Sequence, residues 1–62
     1  MSPKEAIERL RHRDAYVTSK IEELTAQGKY TYWLEKDRDA MQLAISALDY
    51  LEQVQEYEKA QQ

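Results

Sequence analysis

Apolar residues recur every three or four positions in the first part of the chain, which is the spacing of one face of a helix. The apolar positions of this face are Ile7, Leu10, Val17, Ile21 and Leu24. Ser2, Pro3 and Glu5 precede them in the order of a capping box, in which the hydroxyl and the carboxylate satisfy free amide groups. The pattern therefore predicts a first helix over about residues 3–27, ending before Gly28, the only glycine.

The second half of the chain predicts one longer helix. Thr31 is a suitable N-cap, and no glycine or proline follows it, so the helix is expected over about residues 31–58. One apolar face, the first stripe, consists of Leu34, Met41, Ala44, Leu48 and Leu51. A second stripe beside it consists of Ala40, Leu43, Ala47, Tyr50, Val54 and Tyr57. Together they span about 200° of the helix surface, whereas packing on one neighbour needs about 100°.

These elements predict an all-α fold. The turn over residues 28–30 is short, so residues 1–62 should form one antiparallel two-helix hairpin in which the first helix covers the first stripe. The second stripe then needs another copy of the chain, as in a homo-oligomeric four-helix bundle built by a dimer, or a tetramer of hairpins. The candidate oligomer interface comprises Asp14, Leu43, Ala47, Tyr50, Val54 and Tyr57.

Composition supports a small helical protein that relies on partners. Sixty-two residues bury little apolar surface, and the absence of cysteine excludes disulfides and thiolate metal sites. A single His12 predicts no metal site, and nothing indicates a cofactor. The net charge of -3 makes nucleic acid an unlikely partner, and the lack of a long apolar run predicts a soluble cytoplasmic protein without membrane contact.

Asp14 stands where the first helix calls for an apolar side chain. A buried carboxylate needs a partner, because an unpaired buried charge is costly. Asp14 is interpreted either as a register-setting residue paired with Arg11, Arg13 or an arginine of a partner chain, or as a ligand contact in a groove.

Two polar-aromatic clusters are candidate ligand sites. The basic strip lies on one side of the first helix and comprises Arg9, Arg13, Tyr16 and Lys20. The aromatic tip follows the turn and comprises Tyr30, Tyr32 and Trp33. Guanidinium groups bind phosphate and aromatic rings stack on bases, so both clusters suit an anionic ligand.

Structural interpretations of both clusters remain open. The basic strip is also what a solvated helix face with local ion pairs would show. The tip is also interpreted as packing at the end of the bundle, with Tyr30 and Trp33 closing over the core and Tyr32 pointing outward. Packing is the preferred interpretation for Trp33, and the binding platform applies mainly to Tyr30 and Tyr32 with arginines from a second protomer. No nucleophile motif or phosphate loop is present, so no enzyme is expected.

Two segments resemble small helical proteins of phages and prophages, in which an EAI-x-x-L start and an A-x-x-L-A-I-x-A-L helix recur. The matching residues are Glu5, Ala6, Ile7, Leu10, Ala40, Leu43, Ala44, Ile45, Ala47 and Leu48. The resemblance implies phage origin and helical architecture rather than a site. In plan the chain is similar to anti-defence sponges, oligomers that bind host cyclic-nucleotide signals, and to the hairpin RNA-binding regulator repressor of primer.

The leading functional hypothesis is a non-enzymatic phage-type homo-oligomer that acts as an anti-defence sponge for a small anionic ligand, such as a cyclic nucleotide of the host. The alternative is an inhibitor that binds a host protein through Tyr50, Val54 and Tyr57. Self-assembly without any ligand is a third hypothesis, and an RNA-binding hairpin dimer is a fourth.

Overall fold

The computed structural model describes residues 1–61 and contains two α-helices. Helix α1 spans Pro3–Ala26 and helix α2 spans Tyr32–Gln61. The predicted all-helical hairpin is confirmed, with α1 ending one residue early and α2 running three residues beyond the predicted end. Nothing in the last turn of α2 interrupts the helix, and Lys59 there suits the negative end of the helix dipole.

Helix α1 begins at the predicted cap. The Glu5 backbone N–H donates to Ser2 Oγ at 3.1 Å, and Pro3 occupies the first helical position. The second half of the expected capping box, a Glu5 carboxylate bound to the Ser2 N–H, is not formed among residues 1–61. The start of α1 therefore depends on the Ser2 hydroxyl and on proline.

The turn is a Schellman motif centred on Gly28, whose φ of 71° is left-handed. The Lys29 N–H donates to the Leu24 carbonyl at 2.9 Å, and the Gly28 N–H donates to the Thr25 carbonyl at 2.9 Å. These two bonds satisfy carbonyls that the end of α1 would otherwise leave free. The chain is thereby reversed within the five residues that separate Ala26 from Tyr32.

Helix α2 begins after Thr31, whose carbonyl accepts from the Glu35 N–H at 3.0 Å. The Thr31 hydroxyl donates to Glu35 Oε2 at 3.1 Å, so it contacts the side chain rather than a free amide. Thr31 thus marks the expected boundary through a different contact from the usual cap.

The two helices meet along the predicted faces. Ile7, Val17 and Ile21 of α1 are buried. Four members of the first stripe are half-buried: Leu34, Met41, Ala44 and Leu48. The fifth, Leu51, keeps 44% of its surface exposed, so its expected burial against α1 is only partial. No residue of α2 within the described chain is fully buried, which shows how shallow this contact is.

The register follows from the turn. Residues equally distant from the turn lie side by side, which places Leu24 near Leu34 and Leu10 near Leu48. At the open end of the hairpin, Ser2 and Lys4 share a shallow groove with Glu56, as this register requires.

The hairpin is long and exposes much surface for its mass. Its dimensions are 55 × 15 × 15 Å and its radius of gyration is 15.4 Å, compared with about 11 Å for a compact domain of this length. Its accessible surface is 5144 Å², compared with about 4,200 Å² for a compact monomer of 7.4 kDa. The excess of about 900 Å² follows from the elongated shape.

Gly28 provides a direct test of the turn. A Cβ at this position meets no atom within 4 Å, so Gly28→Ala adds backbone strain without a steric clash. We expect it to lower the free energy of unfolding by about 1 kcal/mol, measured by urea unfolding followed by circular dichroism. Gly28→Asn should cost less, because asparagine tolerates the left-handed region. Equal losses for both variants would contradict this account of the turn.

Candidate ligand-binding surfaces

The basic strip is assembled as the spacing predicts. Arg13, Tyr16 and Lys20 lie three and four positions apart and so share one side of α1. The Arg13 Cζ lies 5.0 Å from the centre of the Tyr16 ring, and the Lys20 Nζ lies 5.9 Å from it. Both distances suit cation–π contacts. The Tyr16 ring, 51% exposed, is thus flanked along the helix by two cations.

Arg9 continues the strip toward the N-terminus. It is exposed and lines a shallow groove together with Glu5, Glu8, His12 and Arg13. Across residues 1–61 the sole ion pair joins Lys20 Nζ to Glu23 Oε2 at 3.3 Å. The local bridges from Arg9 and Arg13 to neighbouring glutamates, expected for a solvated face, are therefore not formed.

This geometry is suited to an anion with a flat group. The two unpaired guanidinium groups can each present two N–H donors to a phosphate. The adjacent Tyr16 ring offers a surface on which a base can stack.

The aromatic tip is a cluster of rings in solvent. The Tyr30 and Tyr32 ring centres are 6.1 Å apart, and the Tyr32 and Trp33 ring centres are 5.1 Å apart in an edge-to-face arrangement. The Lys36 Nζ lies 5.3 Å from the centre of the Tyr32 ring. The tip therefore combines aromatic faces with a cation, as a binding platform would.

The prediction that Tyr30 and Trp33 close over the end of the core is wrong for the hairpin. Trp33 is 70% exposed and Tyr30 is 76% exposed, while Tyr32, expected outside, is the least exposed at 42%. The reason is geometric, because consecutive helix positions point about 100° apart. Leu34 faces α1, and its neighbour Trp33 is turned away from the α1–α2 contact.

The hairpin keeps the two candidate sites apart. Trp33 lies level with Thr25 across the turn, and Thr25 is twelve positions beyond Arg13. At 1.5 Å per residue, the basic strip near Arg13 and the aromatic tip are about 18 Å apart. No single small ligand can contact the middle of the strip and the tip of one chain together.

Asp14 lies in the α1–α2 contact and is half-buried. Its Oδ1 is buried and has no hydrogen-bond partner. The predicted pairing with Arg11 or Arg13 is not formed within the chain, because both arginines lie on exposed sides of α1. Asp37, its counterpart on α2, is exposed. Asp14 is thus a polar interruption of the apolar contact between α1 and α2.

The second stripe is left uncovered by α1. Leu43 is 74% exposed, Tyr50 is 69% exposed and Tyr57 is 67% exposed. Ala40 and Ala47 are also exposed, and Val54 is half-buried. An apolar surface of this length on a small chain is typical of an interaction site.

Two polar residues of the α1–α2 contact are missing from the apolar stripes that the sequence predicts. Arg38 and Glu52 are half-buried in line with Leu34, Met41 and Leu48. Their positions, four after Leu34 and four after Leu48, follow the helical repeat and were the available signal. Long side chains of this kind can cover apolar surface with their aliphatic stems while the charges stay in solvent.

Neither helix of the described residues contains a stretch that is long and apolar enough to cross a membrane. Residues 1–61 also hold no group of three or more histidine, aspartate or glutamate side chains placed to bind a metal ion.

The fold and these surfaces define the class of the protein as a two-helix hairpin with a basic strip, an aromatic tip and an uncovered apolar stripe. No protein-family model matches the chain. Searches of curated proteins and of solved structures give no significant match.

Replacing Asp14 tests whether its carboxylate weakens the α1–α2 contact. We expect Asp14→Leu to raise the free energy of unfolding by about 1 kcal/mol, because a buried oxygen without a partner is exchanged for apolar contact. Urea unfolding followed by circular dichroism measures the change. Glu22→Leu is the matched control on an exposed side of α1, and it should stay within about 0.5 kcal/mol of the parent protein. Destabilisation by Asp14→Leu alone would show that the carboxylate has a required partner.

Proposed function

We propose that the protein is a non-enzymatic homo-oligomeric binding protein that sequesters a small anionic ligand on its basic strip. The observation that carries this proposal is the arrangement of Arg13, Tyr16 and Lys20, in which two cations flank one exposed ring. A cyclic nucleotide is the ligand class that matches both parts of this arrangement. Its phosphates suit the cations and its base suits the ring.

The charge distribution favours a small ligand over a long nucleic acid. A nucleic-acid groove needs a continuous basic surface, whereas this chain has a net charge of -3. The cations of the strip cover about three helical turns of α1, a length of roughly 17 Å. This length fits one small anion and its immediate contacts.

Self-association is the second part of the proposal. The second stripe remains exposed in the hairpin, and the accessible surface of 5144 Å² is about 900 Å² above that of a compact monomer. A standard protein interface buries about 800 Å² per partner, so one further copy accounts for the excess.

The biological setting is proposed from the sequence resemblance. Small helical phage proteins and anti-defence sponges share the plan of a short oligomeric helical chain. A sponge needs no catalytic group, only tight binding in the cytoplasm of the host cell. The basic strip without a nucleophile motif is consistent with that role.

A host protein bound by the second stripe is the alternative. Exposed Tyr50 and Tyr57 favour it, since tyrosine is enriched among the residues that dominate binding energy. Tyr50→Glu would then abolish capture of a host protein without changing the oligomer. Loss of the oligomer in Tyr50→Glu would show that the stripe serves self-association.

Calorimetric titration with a panel of cyclic mononucleotides and dinucleotides tests the ligand class. We expect binding at micromolar or lower concentration by one member, and at least a tenfold loss of affinity in Arg13→Gln, about 1.4 kcal/mol. Arg11→Gln is the matched control, since Arg11 is exposed two positions away and points to another side of α1. Its affinity should equal that of the parent protein. Absence of binding by the whole panel, or equal losses in both variants, would overturn the proposal.

A further inference from the structure

The exposed side of α2 carries a strict seven-residue repeat that extends beyond the second stripe. Trp33, Ala40, Ala47 and Val54 are seven positions apart, and so are Lys36, Leu43, Tyr50 and Tyr57. The two series are offset by three positions, which is the pattern of a coiled-coil seam. Its large side chains are exposed in the single chain, as Trp33 and Leu43 show at 70% and 74%.

We propose that this seam packs antiparallel against the same seam of a second copy, with residue 45 of each chain at the same height. The inference rests on the self-association proposed above and specifies its surface, orientation and register. In this register the numbers of two facing residues add up to ninety. Trp33 then meets the partner's Tyr57, and Lys36 meets the partner's Val54.

Side-chain size selects this orientation. Antiparallel pairing places Ala40 against the partner's Tyr50 and Leu43 against the partner's Ala47, so each small residue faces a large one. Parallel pairing would put alanine on alanine at Ala40 and Ala47 and ring on ring at Tyr50. It would leave gaps in some layers and crowd others, whereas well-packed contacts interdigitate large and small residues.

Charge selects the same orientation. Residues 46–61 carry four carboxylates and one lysine, whereas residues 29–45 carry three cations and three carboxylates. Parallel packing would bring two acidic segments together and would oppose Lys36 to its own copy within the seam. Antiparallel packing sets each acidic segment beside a balanced one and brings Lys36 within one turn of the partner's Glu58.

The available area fits one such partner. The surface above that of a compact monomer, about 900 Å², matches the roughly 800 Å² that each partner contributes to a standard interface. A dimer therefore accounts for the whole excess.

Distances between spin labels test the orientation. The chain has no cysteine, so Gln53→Cys and Ala60→Cys each introduce a single attachment point, and both positions are exposed. In the antiparallel dimer the two copies of residue 53 are separated by about 24 Å along the helix axis, and those of residue 60 by about 45 Å. Parallel packing gives separations on the order of 10–20 Å at both positions. The two distances together define the register, because each residue of slip changes both by about 1.5 Å.

A charged substitution in the seam tests the surface. We expect Leu43→Glu to raise the dimer dissociation constant more than a hundredfold in sedimentation equilibrium. Gln42→Glu adds the same charge at the adjacent exposed position, outside the seam, and should change the dissociation constant less than threefold. Helix content by circular dichroism checks that both variants fold, since neither position faces α1.

The possible results separate this inference from the proposed function. Long label distances together with dissociation by Leu43→Glu alone support the antiparallel seam. A dimer with short distances at both positions, or an oligomer that Leu43→Glu leaves intact, overturns the seam while self-association stands. A monomer at a concentration of 100 μM overturns both, whereas ligand binding to the basic strip is measured independently by calorimetry.

Discussion

The structure depends on one constraint, which is that α1 can cover only one side of α2. A helix buries a stripe about 100° wide against one neighbour, whereas the apolar surface of α2 is about twice as wide. The 24 residues of α1 are used along the first stripe and bury only three of their own side chains, Ile7, Val17 and Ile21. The uncovered stripe, the elongated shape and the large accessible surface all follow from this limit.

The same constraint explains why Asp14 matters. In a large core the cost of one unpaired oxygen is small compared with the stability from all buried residues. The α1–α2 contact contains only few buried residues, so the cost matters more here. A polar group in the middle of the α1–α2 contact opposes slippage of α1 along α2, because any shift would carry the carboxylate against other apolar side chains. We infer that Asp14 exchanges some stability for a defined register.

Much of the hairpin was predictable because its signals are local. The cap at Ser2, the left-handed turn at Gly28 and the first stripe each depend on residues close in sequence. The incorrect predictions concern the direction in which side chains point and how deeply they are buried. Trp33 is predicted to turn inward with Leu34 from its place at the hairpin tip, yet its rotation relative to Leu34 turns it outward. The basic strip was predictable as a face, whereas the choice between local ion pairs and open cations depends on side-chain conformations that spacing leaves undetermined.

The antiparallel seam also changes how the two candidate ligand sites relate to each other. In the proposed dimer Trp33 meets the partner's Tyr57, which lies about 18 Å along the axis from the level of Arg13. The aromatic tip then belongs to the interface, and the basic strip of α1 remains as the anion site.

Both basic strips lie at the height of the two-fold axis in that dimer. The strip is centred near residues 14 and 15, which lie level with residues 43 and 44 of α2, beside the symmetry point at residue 45. The two strips are equivalent by symmetry, but the paired side of α2 lies opposite the side that contacts α1, so the strips lie on the two outer helices with both copies of α2 between them. In the proposed dimer each strip is therefore a separate candidate anion site, and one cyclic nucleotide cannot contact both strips.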